Sequence, residues 1–344
     1  MIKSNILLKI SLILFTLWDI YSIHLGKVFD VVGIFFVLLY ILLKKKVYIE
    51  TNLNVKILLF MYSMIMMLTI FNGYLQEFFV VNLGLIVFLC FNNLPRKNDF
   101  SAVVEAIFYL IIFFQVLQFS YYLLYGENLI FYPISFFNAP RNYSASLDFF
   151  RATGFFAEAN AIVTTTLLLN MYAQAVNYKR KNVILIFTIF SNVIAKSIFG
   201  FILIPFYIMM VSSLSFKVKI SSFLLLIFVV IYNADLSIYM YRFDNFTDDQ
   251  SFSVRLGLNS LSENLHKLFI PSGFDVIGSS KIGINGFYFM LNAFGVFSLY
   301  LLIIKYKLLG KNAFILFILS LATYQMFTTQ LFWAILGLSI NRKK

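Results

Sequence analysis

Long apolar runs, separated by short polar segments, occupy most of the chain. Runs of about 17–25 apolar residues have the length of a helix that crosses the hydrocarbon core of a bilayer. We therefore predict an all-α polytopic membrane protein with a single transmembrane domain over residues 1–344. About twelve helices are expected, over residues 5–23, 28–43, 54–71, 76–91, 101–125, 154–176, 182–196, 198–214, 219–234, 283–304, 312–326 and 328–340.

Short basic clusters between the runs indicate how these helices are oriented. With the N-terminus inside, most of the 27 lysine and arginine residues fall in inner segments, as the positive-inside rule requires. An alternative count merges 182–196 with 198–214, or 312–326 with 328–340. Merging only one of these pairs would place the later loops on the wrong sides. We therefore predict that both termini are cytoplasmic.

Composition excludes an ordinary soluble domain. The chain is 61% hydrophobic and 12% charged, whereas about 25% of the residues of a soluble domain are charged. The net charge of +12 does not indicate a nucleic-acid partner, because the basic clusters are explained by topology. The single cysteine, Cys90, lies in an apolar run, so no intrachain disulfide and no cysteine metal site are expected. No metal or cofactor is predicted.

Two longer polar segments, 127–153 and 235–282, fall on the outer, periplasmic side of this map. Together they contain four of the seven arginines, although topology disfavours cations there. A guanidinium group presents a planar fork of donors that suits phosphate or carboxylate. We therefore expect an external site for an anionic ligand. Its arginines are Arg141, Arg151, Arg242 and Arg255.

The first stretch with candidate chemistry runs from Arg151 to Asn160 and leads into the helix predicted at 154–176. Gly154 permits a sharp turn, and Glu158 falls in the first helical turns. A helix N-terminus offers free N–H groups and the positive end of a dipole, which favour an anion such as phosphate. The alternative interpretation is that Glu158 only caps the helix and pairs with Arg151.

The second stretch, Asp249 to Arg255, lies in the longer outer segment. A short helix there would place Ser251 and Arg255 on one face, at positions i and i+4. The alternative is a solvated external helix with a surface Asp–Arg pair. His266, further along the same segment, is a candidate general base because an imidazole titrates near neutral pH. A loop histidine is, however, more often simply solvated.

A third stretch opens the tenth predicted helix. Asn285 and Tyr288 share a face there, at positions i and i+3. Gly295, in the same helix, would allow close packing against a neighbour. Packing explains these residues as well as ligand binding does. Gln115 and Gln118, near the outer end of helix 101–125, could line a cavity.

These stretches, in this order and spacing, resemble the O-antigen polymerase and O-antigen ligase family of bacterial envelope enzymes. The resemblance covers roughly residues 140–305 and includes the element Ser197-Ile-Phe-Gly200 between two helices. Ligases of that family resemble one another in a histidine near the start of the helix after the long loop. The corresponding Gly283-Ile-Asn285-Gly has none, which favours polymerase.

The resemblance implies a GT-C-like fold and a metal-independent glycosyltransferase of the bacterial inner membrane. Such an enzyme joins oligosaccharide repeat units carried on undecaprenyl diphosphate, at the periplasmic face, in polysaccharide or lipopolysaccharide biosynthesis. Its partners are these lipid-linked glycans and membrane lipids, and a chain-length regulator protein is a conceivable further one. The implied base is Glu158, Asp249 or His266, in that order. The implied binding residues are Arg151, Arg255, Arg242, Arg141, Asn160, Asn285 and Tyr288.

Two alternatives stay open. One is a ligase, which transfers glycan to lipid A-core. The other is a flippase for lipid-linked oligosaccharide, which is a transporter. A transporter collects its polar residues near the bilayer midplane, whereas here they collect at outer helix ends and in the two outer segments.

Overall fold

A computed structural model describes residues 2–18, 23–44, 75–94, 97–129, 131, 150–156, 158–195, 297–323 and 329–340, together with isolated positions elsewhere. The described residues are mostly helical and include no β-strand, which confirms the all-α prediction for this part of the chain. The total of twelve helices remains a prediction. The helices are α1 (Ile2–Thr16), α2 (Ile23–Lys44), α3 (Leu75–Asn92), α4 (Ser101–Tyr125), α5 (Ala159–Ala175), α6 (Lys181–Ile194), α7 (Phe297–Leu309), α8 (Lys311–Thr323) and α9 (Gln330–Ser339).

Helix α4 has the predicted bounds. It ends at Gly126, which adopts a left-handed conformation (φ 70°) and donates its N–H to the Tyr122 carbonyl at 2.8 Å, as helix C-termini commonly do. Within the described residues, the helical stretch Lys97–Tyr125 alone is long and apolar enough to cross a membrane, judged by length and composition. The other apolar helices described are shorter.

One face of α4 is exposed along its whole length, and the opposite face is buried. The exposed positions recur every three or four residues, which is the spacing of a single helical face. From first to last they extend about 33 Å at the helical rise per residue, which is close to the thickness of a bilayer core. They are Ala102, Ala106, Leu110, Phe113, Leu117, Ser120 and Leu124.

Helix α5 lies at the centre of the described bundle, because every one of its residues is buried. It packs against α4, α6, α8 and α9. Its polar side chains bond to neighbouring helices, an arrangement that holds helices together where water is excluded. The bonds are Trp18 Nε1 to Thr165 Oγ1 (3.2 Å), Thr164 Oγ1 to Thr323 Oγ1 (2.8 Å) and Asn170 Nδ2 to Thr188 Oγ1 (3.1 Å).

Helices α3 and α9 approach closely through two glycines. The indole of Trp333 occupies the space that a side chain on Gly84 would need, and a Cβ on Gly337 would lie 2.7 Å from the Phe88 carbonyl oxygen. The end of α9 is held by Lys97, whose ammonium donates to the carbonyls of Gly337 (2.7 Å) and Ile340. A cation is favourable there, because the last carbonyls of a helix have no partner within it.

The connection between α5 and α6 is fixed at the opposite end of the bundle from Gly126. Arg180 donates to Glu105 at 2.9 Å, and the Tyr178 hydroxyl donates to the same carboxylate. This hydrogen bond to a carboxylate raises the pKa of Tyr178. The basic cluster Lys179-Arg180-Lys181, predicted to be cytoplasmic, is thereby attached to α4.

Three predicted helices outside the candidate site differ from the structure. Helix α1 ends at Thr16 and is followed by a turn, whereas the prediction ends it at residue 23. Helix α2 begins at Ile23, whereas the prediction begins it at residue 28. The helix predicted over 283–304 is interrupted, because Gly295 adopts φ 55° in a turn before α7 begins at Phe297. The separation of 312–326 from 328–340 is confirmed, since Thr329 has extended backbone between α8 and α9.

Candidate functional site

The stretch Phe150–Phe156, called the clamped segment below, crosses the second half of α4 and the last turn of α6 just before α5 begins. Topology predicts that this end of the bundle faces the periplasm, and it is called the outer end. Gln115 and Gln118 of α4 are both fully buried and both bond to the segment. The sequence suggested only that they could line a cavity. Instead they hold a backbone in place.

Gln115 joins the clamped segment to α6. Its side-chain nitrogen donates to the Ala152 carbonyl (3.0 Å) and to the Ser191 carbonyl (2.9 Å). Its oxygen accepts the Ser191 hydroxyl at 2.6 Å. The Ala152 N–H donates to the Ile194 carbonyl at 3.3 Å, so the segment also bonds directly to the last turn of α6.

Gln118 fixes the next two residues. Its oxygen accepts the backbone N–H groups of Thr153 and Gly154, each at 2.8 Å. Its nitrogen donates to Asn128 Oδ1 (3.2 Å) and to the Leu129 carbonyl (3.1 Å). The side-chain amide thus uses two donors and two acceptor sites, the full capacity of such a group.

Aromatic rings cover both ends of the segment. Phe150 stacks on Tyr122 with ring centroids 4.0 Å apart and planes inclined by 12°. Phe155 packs edge-to-face against Phe114, with centroids 5.7 Å apart. Such aromatic pairs add to the stabilisation that burial provides. The segment is therefore attached to α4 through both polar and apolar contacts.

The sharp turn predicted at Gly154 is confirmed. Gly154 has φ 60°, a conformation that favours glycine, and a Cβ there would lie 3.3 Å from the Gln115 backbone nitrogen. Because the chain turns here and bonds to α4, it cannot also form the first turn of a helix. Helix α5 consequently begins at Ala159, and the predicted start at 154 is wrong.

Glu158 occupies the N-cap position of α5, with extended backbone (φ −132°, ψ 146°). Its carbonyl accepts the Ala161 N–H at 3.1 Å, but its side chain makes no capping hydrogen bond. Arg151 and Glu158 are both partly exposed, on either side of the Gly154 turn, whereas Asn160 is buried in the first turn of α5. The structure thus places a guanidinium just before the bonded turn and a carboxylate at the N-cap of α5 that follows it.

The remaining predicted site residues lie outside the described residues. The same holds for the Ser197–Gly200 element. No group of three histidine, cysteine, aspartate or glutamate side chains that could hold a metal ion occurs within the described ranges. The predicted residues outside those ranges are Arg141, Arg242, Asp249, Arg255, His266, Asn285 and Tyr288.

The two glutamines are functional candidates whose role the sequence did not indicate. The sequence did contain an indication, because two amides at positions i and i+3 on a largely apolar helix need hydrogen-bond partners when they are buried. What the sequence did not show is that both amides bond to backbone groups of residues 152–154, some 35 residues further along the chain.

No protein-family model, characterised protein or solved structure matches this chain. The resemblance to O-antigen polymerases and ligases therefore depends on the ordered motifs alone. The geometry at the outer end of the bundle stands independently of that resemblance.

Proposed function

We propose that this chain is a multi-pass protein of the bacterial inner membrane and an O-antigen polymerase. It joins oligosaccharide repeat units carried on undecaprenyl diphosphate at the periplasmic face. The observation that carries the proposal is the clamped segment, which holds Arg151 towards the outer end of the bundle, shortly before Glu158 and the N-terminus of α5. The exposed apolar face of α4, as long as a bilayer core is thick, supports the membrane assignment.

In this proposal Arg151 binds the diphosphate of the donor. Its planar donor fork matches two phosphate oxygens, and the N–H groups at the start of α5 add a favourable field for an anion. The oxygen of an acceptor hydroxyl attacks the anomeric carbon, the bond from that carbon to the diphosphate breaks, and undecaprenyl diphosphate leaves. Arg151 stabilises the charge that develops on the leaving group.

Glu158 is the preferred base for the proton of the attacking hydroxyl, with Asp249 and His266 as the other candidates. Its carboxylate is partly exposed and is not used to cap α5. This arrangement favours a role in proton transfer over the purely structural cap considered from the sequence.

A transporter is the less well supported alternative. The polar side chains of α5 that lie deep in the bundle are engaged in bonds between helices, at Thr164, Thr165 and Asn170. A flippase needs such groups for its cargo near the midplane. Arg151 and Glu158 lie instead towards the outer end of the bundle and are partly exposed, which supports a reaction on the periplasmic side.

The test is in-vitro extension of purified lipid-diphosphate repeat units, followed by gel analysis of the glycan ladder. Arg151→Ala should lower the extension rate by about 100-fold or more, the usual cost of removing one donor to developing charge. Arg151→Lys should restore little, because a point charge does not reproduce bidentate contact. Arg255→Ala should also abolish the ladder.

Arg180→Ala is the matched control. Arg180 is also an arginine beside α5, but at the other end of the bundle, where its side chain is 62% exposed and pairs with Glu105. Its loss should leave extension unchanged. Normal ladders from well-expressed Arg151→Ala protein would refute the site. Glycan transfer only when lipid A-core is supplied would establish a ligase instead.

A further inference from the structure

Side-chain amides at the interfaces of α4, α5 and α6 are closely matched with partners. Besides Gln115 and Gln118, Asn170 donates to Thr188 at 3.1 Å and accepts from Gln174 at 3.4 Å. Asn192 of α6 is different. It is 5% exposed, and its Oδ1 is buried without a hydrogen-bond partner in the described structure. Buried amide oxygens are nearly always hydrogen-bonded, so this one requires an explanation.

Asn192 lies in the turn of α6 that holds the clamped segment. The carbonyls on either side of it, at Ser191 and Ile194, accept bonds from Gln115 and from the Ala152 N–H. Thr188, one turn earlier on the same face of α6, bonds to α5. Residues four apart on a helix share a face, so Asn192 faces α5 one turn nearer to the outer end.

The chemistry of the unpaired atom restricts the ligand. An amide oxygen is an acceptor, and it needs a hydrogen-bond donor. A diphosphate at neutral pH offers mainly acceptors, so it suits Arg151 and does not suit the Asn192 oxygen. Sugar hydroxyls are donors. The two side chains, which lie at the same end of the bundle, are therefore complementary to different parts of one lipid-linked glycan.

We propose that Asn192 is a substrate-binding residue whose Oδ1 accepts a hydrogen bond from a sugar hydroxyl of the lipid-diphosphate-linked glycan. This inference depends on the proposed function, because it assigns the glycan part of the same substrate. It separates two roles. Arg151 binds the diphosphate that all donors share, whereas Asn192 contacts the saccharide and contributes to the choice of repeat unit.

The experiment measures binding of two probes to the full-length protein in detergent micelles. One is a polyprenyl diphosphate that carries the oligosaccharide repeat unit, and the other is the same polyprenyl diphosphate without sugar. Asn192→Leu should weaken binding of the glycosylated probe about tenfold, as loss of one hydrogen bond in a buried site implies. It should leave binding of the sugar-free probe unchanged. Arg151→Ala should weaken both.

The thermal unfolding midpoint distinguishes a substrate-binding role of Asn192 from a purely structural one. Asn192→Leu replaces an amide whose oxygen is unsatisfied by an apolar side chain of similar size, so its unfolding midpoint should equal or exceed that of the wild type. Asn170→Leu is the matched control. It removes an amide whose partners are satisfied, on the facing helix, and should lower the midpoint. Should Asn192→Leu prove too poorly expressed, Asn192→Ala tests the same probe selectivity.

The outcomes separate the two proposals. If the wild type binds neither probe, the proposed function fails. If the wild type binds both and Asn192→Leu weakens neither, or weakens both equally, the polymerase assignment stands and the role of Asn192 is refuted. An unfolding midpoint for Asn192→Leu as low as that of Asn170→Leu would also refute it, since the amide would then serve packing.

Discussion

Replacing Gln118 by leucine is the sharpest test of the clamped segment. Leucine has a similar volume and keeps the helix face apolar, but it removes all four hydrogen bonds of the amide. The N–H groups of Thr153 and Gly154 lose their Gln118 acceptor. Both residues are buried, so water does not readily replace it. The segment that carries Arg151 is then attached mainly through Gln115 and the aromatic contacts.

The magnitude follows from these bonds. A buried donor that loses its acceptor costs about 1–3 kcal/mol, so two such donors cost at least about 2 kcal/mol. This free energy is lost from the closed segment only, because the open segment is hydrated in both proteins. Since 1.4 kcal/mol is a factor of ten, the equilibrium for local opening should rise by roughly 30-fold or more.

Amide hydrogen exchange of a peptide covering residues 150–156 measures this opening directly, because exchange reports local unfolding free energies. Gln118→Glu gives an intermediate case, since a carboxylate still accepts the two N–H groups but cannot donate to the Leu129 carbonyl. Leu117→Ala, on the exposed face of the same turn, is the control and should leave exchange unchanged. Unaltered exchange in Gln118→Leu would show that Gln118 does not hold the segment.

Two further predictions concern the packing of α9. Gly337→Ala should lower stability by about 1–3 kcal/mol, seen as a lower unfolding midpoint in detergent, because the new methyl meets the Phe88 carbonyl. Ser339→Ala, on the same helix, should not lower it, since the Ser339 hydroxyl is buried and makes no hydrogen bond in the described structure. Lys97→Met should cost about 1–3 kcal/mol in the same assay, because it leaves carbonyls at the end of α9 without their donor. Lys179→Met, at an exposed position, should have no effect, and equal midpoints for the two lysine variants would contradict the capping role.

The sequence predicted α4 well because the causes of its bounds are local. The apolar run that forms it begins after the polar residues 97–99 and ends at a glycine that can adopt the left-handed conformation. The sequence does not show which face of α4 is exposed and which is buried, because both faces are largely apolar and hydropathy does not distinguish them. That division depends on which neighbours pack against the helix.

The start of α5 could not be predicted from the local sequence pattern. Residues 154–158 continue the apolar pattern, so the prediction extended the helix through them. Bonds from Gln118 to Thr153 and Gly154 fix a turn instead, and they join residues too distant in sequence for a local pattern to indicate. Gly295 is similar, since its positive φ interrupts a run that is mostly apolar.

The central position of α5 has a consequence for how the protein is made. A segment that contains Asn160, three consecutive threonines and Asn170 is a poor candidate for stable insertion into lipid by itself. Its bonding partners emerge from the ribosome at very different times, Trp18 long before it and Thr323 long after it. On the membrane assignment proposed above, α5 must therefore remain among other helices until α8 has been synthesised. A chain truncated before α8 should accordingly be degraded by quality control rather than accumulate as a smaller bundle.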